Sequence, residues 1–247
     1  MPTPDESIER LKGLMAIWDA HGETVSVPKI GESVLTGVAI QVQVEHAVRL
    51  SEAVIALARE RLFIQTAPLV RMALECAVSA AWWSLNPDNV KGSIKEAARL
   101  KKLLHAGMSN LASTPYVAHP DWSDISEEYA AFQATEAGNF EARCKALQGG
   151  ESLYPYYRLL SEASHGGTAL LDEYMETVPE SDANPFGLAF KKHSPYRYFR
   201  TVLAICVLSV ALAMRAWDDI TSTHPDRDAL NDLATEIGAQ IVVSSAL

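Results

Sequence analysis

An all-α, single-domain helical bundle is what this sequence predicts, and three observations predict it. Apolar residues recur with a period near 3.6 along most of the 247 residues, the spacing of helix faces that meet a core. No sustained alternation of apolar and polar residues bounded by turn residues interrupts them, which argues against a sheet-based architecture. Apolar residues make up 48% and charged residues 21%, enough to bury a sizeable core. The expectation is one domain over residues 1–247 with about seven to nine helices, an irregular insertion at 107–150 and a loop at 176–194.

The elements follow in order. Pro4–Ala20 reads as a helix with Ile8, Leu11, Leu14, Met15 and Trp18 on one side. Gly22 to Gly31, containing Pro28, is a connection. From Ser33 to about Phe63 a pattern rich in Val, Ala, Leu and Ile runs without internal proline and predicts one long helix. Thr66 is positioned to cap a helix opening on Ala67-Pro68, where the missing proline N–H costs nothing. That helix runs to about Leu85, and Asn86-Pro87-Asp88 breaks it. A further helix is expected from about Val90 to His105. Pro115, Pro120 and Gly138 divide the middle section, with short helices at Asp124–Ala134 and Phe140–Leu147. Leu153 to about Thr168 forms the next helix, and Gly166-Gly167 suits its end. Two last helices cover about Pro195–Ile220 and Asp226–Val243. The most hydrophobic run, Val202 to Met214, lies between Arg200 and Arg215; it is shorter than the roughly 20 residues a bilayer requires and reads as a buried core helix.

With 31 acidic against 21 basic residues the net charge is −10, so nucleic acid would be repelled at long range and would need a local basic patch. Lys91, Lys95, Arg99 and Lys102 form a basic stripe on one helical face, either a solvated surface or a contact for a phosphate backbone. Lys191-Lys192-His193 with Arg197 and Arg200 is a second, more scattered cluster. Cys76, Cys144 and Cys206 are far apart and odd in number, which suggests neither a disulfide framework nor a thiolate metal site. Together with a polar, acidic N-terminus unlike a signal peptide, they point to a reducing, cytoplasmic setting and no membrane partner. HExxH, GxSxG, GxxxxGK[ST] and GxGxxG are absent, so no metal and no cofactor is expected. Asp218-Asp219 and Asn231-Asp232 with Glu236 bring acidic magnesium motifs to mind, but their spacing is wrong.

Two constellations remain. Arg71 and Glu75 sit one turn apart on a helix otherwise apolar nearly all round, so both charges must find partners; they form either an internal ion pair or a link between helices, or else part of a ligand pocket wall. Tyr157, Ser161, His165 and Arg158 fall at roughly 0°, 40°, 80° and 100° around a helix axis. That strip is either a satisfied structural cluster, with His165 favoured by a helix C-terminus, or an anion site with Arg158 holding phosphate and His165 moving protons.

Val70-Arg71-Met72-Ala73-Leu74-Glu75, followed by an aromatic-rich stretch, together with Tyr157-x3-Ser161-x3-His165, resembles an uncharacterised group of bacterial helical proteins related to HEPN domains. These are all-helical proteins of toxin–antitoxin and anti-phage systems, many of them metal-independent RNases with an Arg-x(4–6)-His motif; Arg158 and His165 have the six-residue spacing. Active HEPN proteins often carry a polar residue directly after the arginine, where this chain has Leu159. The resemblance implies a homodimer and two alternative functions. One is a binding or regulatory module in a prokaryotic defence or stress system, engaging RNA or a partner protein. The other is an RNase in which His165 is the general acid or base and Arg158 stabilises developing charge, with Tyr157 and Ser161 orienting groups and Arg71 and Glu75 supporting the site.

Overall fold

A computed structural model describes residues 2–20, 34–109, 137–165, 168–191, 195–221, 223–224, 226–237 and 243–244. Among them are nine α-helices and one small hairpin. In chain order the elements are α1 (Pro4–Asp19), α2 (Leu35–Arg59), α3 (Thr66–Leu85), α4 (Asp88–Ser109), α5 (Phe140–Lys145), α6 (Leu153–Ser164), α7 (Ala169–Tyr174), β1 (Met175–Thr177), β2 (Leu188–Phe190), α8 (Phe199–Ile220) and α9 (Arg227–Ile237). The all-α expectation holds. The connection at Gly22–Gly31 and the helix expected at Asp124–Ala134 lie outside the described residues.

The centre is three mutually packed helices, α2, α3 and α8, with α3 making the most extensive contacts with the other two. Their sequences explain the close approach: α3 buries Ala67, Ala73, Ala77, Ala80 and Ala81, and small side chains let neighbouring helices draw near. Around these sit the larger buried residues Val44, Val48, Val70, Leu74, Leu203, Val210 and Met214. At 22 residues α8 is long and apolar enough to cross a membrane by length and composition, yet most of it is buried within the bundle. α1 packs on α8, burying Leu11, Leu14 and Trp18; Trp18 meets Trp217 edge-on at 6.0 Å. The Trp18 indole donates to Glu45 Oε2 at 2.7 Å, and this bond holds the Glu45 carboxyl below its ordinary range.

Helix ends follow local chemistry. Thr3 and Glu6 form a reciprocal capping box at the start of α1. At α3 the expectation fails: Gln65 is the capping position and Thr66 is the first helical residue, its hydroxyl donating back to the Phe63 carbonyl at 2.6 Å. The turn through Phe63–Gln65 already supplies backbone bonds there, so the hydroxyl has no cap to make. α2 ends with Arg61 N–H donating to the Ala58 carbonyl and Leu62 N–H to the Leu57 carbonyl, the paired bonds of a Schellman motif. Arg61 takes the left-handed position (φ 61°) that glycine usually fills.

The region read as a loop at 176–194 contains an antiparallel hairpin, Met175 opposite Phe190 and Thr177 opposite Leu188. Three-residue strands are too short to display alternation in sequence. Asn184 caps the outer edge of β2, its amide nitrogen donating to the Leu188 carbonyl at 2.9 Å, while Phe186 and Phe190 stand 83% and 80% exposed.

α8 and α9 are joined by a complete ionic network. Arg227 Nε donates to the fully buried Asp218 carboxylate at 2.7 Å and Nη2 to Asp219 at 2.6 Å. Arg215 Nε donates to Asp219 at 3.1 Å and Nη1 to Asn231 at 3.0 Å. In the basic stripe of α4, Lys91 pairs with Asp88 and Arg99 with Glu96 within the same helix.

Replacing Arg61 with glycine should raise stability by about 1 kcal/mol, because only the larger residue carries the left-handed penalty; a melting temperature raised by a few degrees checks it. Gly150→Ala should do the opposite. Its Cβ would lie 2.2 Å from the Cys144 carbonyl oxygen, so the backbone must shift at a cost of about 1–3 kcal/mol in chemical denaturation.

Candidate functional site

On α3, Arg71, Glu75 and Ser79 are spaced four residues apart and share one face. α6 and α5 pack against that face. The Arg71 guanidinium sits over the Tyr157 ring with its carbon 4.6 Å from the centroid, and Nη2 donates to the Tyr157 hydroxyl at 2.6 Å. Arg71 Nε approaches Glu75 Oε1 at 3.2 Å, too far off axis for a hydrogen bond, so this buried nitrogen has no hydrogen-bond acceptor. The contact is therefore electrostatic and incomplete. Neither charge is sealed in: the Arg71 side chain is 23% exposed and that of Glu75 39%.

A second cation enters from α5. Arg143 Nη1 donates to Ser79 Oγ at 2.6 Å, and that hydroxyl donates in turn to the Glu75 carbonyl at 2.7 Å. Arg143 Nε is buried with no acceptor. Burial pulls this guanidinium below its ordinary pKa, and the nearby Glu75 carboxylate only partly offsets the shift. An arginine stays protonated at any physiological pH, so a lowered value means that holding the charge there opposes folding. The aromatic side is continuous: Phe140 stacks on Tyr157 at 4.3 Å, Tyr154 lies nearly parallel to Tyr157 at 6.1 Å, and Arg143 sits 5.5 Å from the Phe140 centroid.

α5 has six residues, too few to stand alone. Asn139 caps it by accepting from Ala142 N–H at 3.1 Å. Behind it, Gly149 adopts φ 71° and Gly150 lies where any side chain would strike the Cys144 carbonyl. Those glycines turn the chain into α6 and so bring Arg143 and Tyr157 to the same stretch of α3. Cys76 and Cys144 flank the cluster; burial pushes both thiols up to about 12, so neither is a thiolate at neutral pH.

Tyr157 of α6 joins Arg71 of α3. The rest of the Tyr157 strip separates. Arg158, 100° further round α6, is exposed, and its field acts on Glu141 of α5. Ser161 Oγ is occupied by the Tyr157 carbonyl at 2.7 Å. His165 is exposed and lies just past the helix end with extended backbone (φ −102°, ψ 143°), so it does not continue the strip. Among the described residues no hydrogen bond or ion pair joins Arg158 to His165. His46 and His224 stand apart from this cluster, and among the described residues no group of three His, Cys, Asp or Glu side chains is arranged to hold a metal ion.

Arg143, Ser79 and Phe140 went unrecognised in the sequence. A signal was present: Phe140, Arg143, Cys144 and Leu147 have the spacing of one apolar helix face, and a cation on such a face must find a partner, the same inference that singled out Arg71.

Residues 40–183, more than half of the chain, match the family of unknown function DUF5677. The chain belongs to that family. The span covers every side chain of the cluster, from Arg71 on α3 to Tyr157 on α6. No curated protein and no solved structure matches this DUF5677 chain.

Truncating the Tyr157 hydroxyl (Tyr157→Phe) should cost about 1–3 kcal/mol, since it leaves a charged donor of Arg71 without its acceptor. In a double-mutant cycle with Arg71→Met, read by chemical denaturation, the two changes should cost less together than the sum of each alone.

Proposed function

We propose that this protein is a binding or regulatory module that breaks no bonds itself, and that its ligand presents an anionic group to Arg71 and Arg143. One observation carries this reading: two guanidiniums share one face of α3 with a single carboxylate, and the Nε of each is buried without an acceptor. Unmet buried donors of this kind cost on the order of 1–3 kcal/mol each, and an oxyanion is the acceptor that suits guanidinium best. The partial exposure of Arg71 and Glu75 opens the edge of the cluster to solvent, and the Nε donors behind it are reached through a side-chain shift.

The HEPN-like nuclease reading needs Arg158 and His165 to act on one phosphate. Three features weigh against it: His165 caps the helix end with extended backbone, no hydrogen bond or ion pair joins Arg158 to His165 among the described residues, and Leu159 follows the arginine. The thiols beside the cluster are too weakly acidic to serve as nucleophiles. The ligand can be a free molecule, an acidic side chain of a partner protein, or the backbone of RNA; a prokaryotic defence or stress setting is the context that the HEPN resemblance suggests.

Total RNA incubated with the wild type, His165→Ala and Arg143→Gln should stay intact in all three. Benzoate, compared with chloride at equal ionic strength, should raise the melting temperature of the wild type and His165→Ala but not of Arg143→Gln. RNA cleaved by the wild type and spared by His165→Ala would restore the nuclease instead.

A further inference from the structure

We infer that Glu75 is a charge filter that restricts the α3 cluster to singly charged oxyanions. The inference rests on reading the cluster as a binding site and adds what the site selects. Arg71 and Arg143 contribute two positive charges, and Glu75, one turn from Arg71 and 3.2 Å from its Nε, removes one. Glu75 also acts electrostatically on Arg143, so its charge is shared between both cations. The surplus is one positive charge, and a ligand group bearing one negative charge completes it.

Glu75 answers Arg71 partly and makes no hydrogen bond to Arg143, whose Nη1 is spent on Ser79 and whose Nε is unmet. A carboxylate or a phosphodiester entering at the partly exposed Arg71–Glu75 edge would reach that Nε, which is sealed from solvent, through a local side-chain shift that need not displace Glu75. A phosphomonoester, with close to two negative charges above its second pKa of about 6, would bring its extra charge against Glu75 in a site partly closed to water, where like charges repel more strongly than in solvent. Cationic sites ordinarily bind the more highly charged of two anions better; Glu75 is the residue that cancels this preference.

Isothermal titration calorimetry at pH 8 and low ionic strength, where screening is weak, tests it with three probes. Phenyl phosphate and methyl phenyl phosphate share a ring and differ by one charge; benzoate supplies the carboxylate. The wild type should bind methyl phenyl phosphate or benzoate at least as tightly as phenyl phosphate, and the tighter of the two names the source chemistry. In Glu75→Gln the affinity ratio should move about tenfold toward phenyl phosphate, the order expected when one like charge is removed from a partly closed site. A residue that merely held helices together would leave the ratio unmoved. Wild type that already prefers phenyl phosphate overturns the filter, and that result needs no folded variant. An unchanged ratio in Glu75→Gln, with binding lost in Arg143→Gln, removes the filter while keeping the site. Binding retained in Arg143→Gln, or absent from the wild type for all three probes, removes the site as well.

Discussion

Two guanidiniums lie against one face of α3 with a single carboxylate between them, and the surrounding segment is organised by that shortfall. Taking a cation out of water is tolerable only when hydrogen bonds and an opposing charge replace its hydration. Here replacement is partial. Ser79 and the Tyr157 hydroxyl each accept one bond, the Phe140–Tyr157–Tyr154 rings offer their faces, and Glu75 stands near both cations. Everything that brings α5 to this place serves the same contact: the Asn139 cap, the left-handed Gly149 and the side-chain-free approach at Gly150. A helix of six residues gains little from its own backbone bonds, so its position depends on what it packs against.

Much of this was legible in the sequence, for reasons that differ by element. The long helices declare themselves because fifteen to twenty-five residues contain several turns of the apolar period. Arg71 and Glu75 were legible because charges on an apolar helix need partners wherever they meet the core. For the Tyr157 strip the sequence leaves two physical points open. A helical wheel gives relative angles but not which arc is buried, and the 100° between Tyr157 and Arg158 turns one toward α3 and leaves the other in solvent. The helix also ends at Ser164: His165 is its C-cap, with its N–H still bonded to the Ser161 carbonyl but its backbone already extended, so the wheel stops there. Arg143 escaped notice because its short helix sits in an otherwise irregular stretch, where six residues display barely two turns. The hairpin escaped for a related reason: what fixes it is Asn184 bonded to Leu188 and the left-handed Gly187, features of geometry rather than of period.

The two ionic clusters of this bundle serve as controls for each other. Between α8 and α9, Arg215 and Arg227 face Asp218 and Asp219, so charge balances; both Nε atoms donate to a carboxylate, and neither is left without an acceptor. That network joins two helices, and its completeness fits the task, because a buried carboxylate such as Asp218 costs least when every lone pair is answered. At α3 the chain had the same chemistry available and stopped short of it, with two cations, one carboxylate and two orphaned Nε donors. A purely structural role would favour closing the network or replacing the charges with apolar side chains, since either costs less than a half-answered cation. A site that must receive an anion requires the opposite: donors held in place, unspent, at some expense of stability. On the binding reading proposed above, the imbalance at Arg71, Glu75 and Arg143 is unfilled capacity, and its sign and size, one positive charge, define what would fill it.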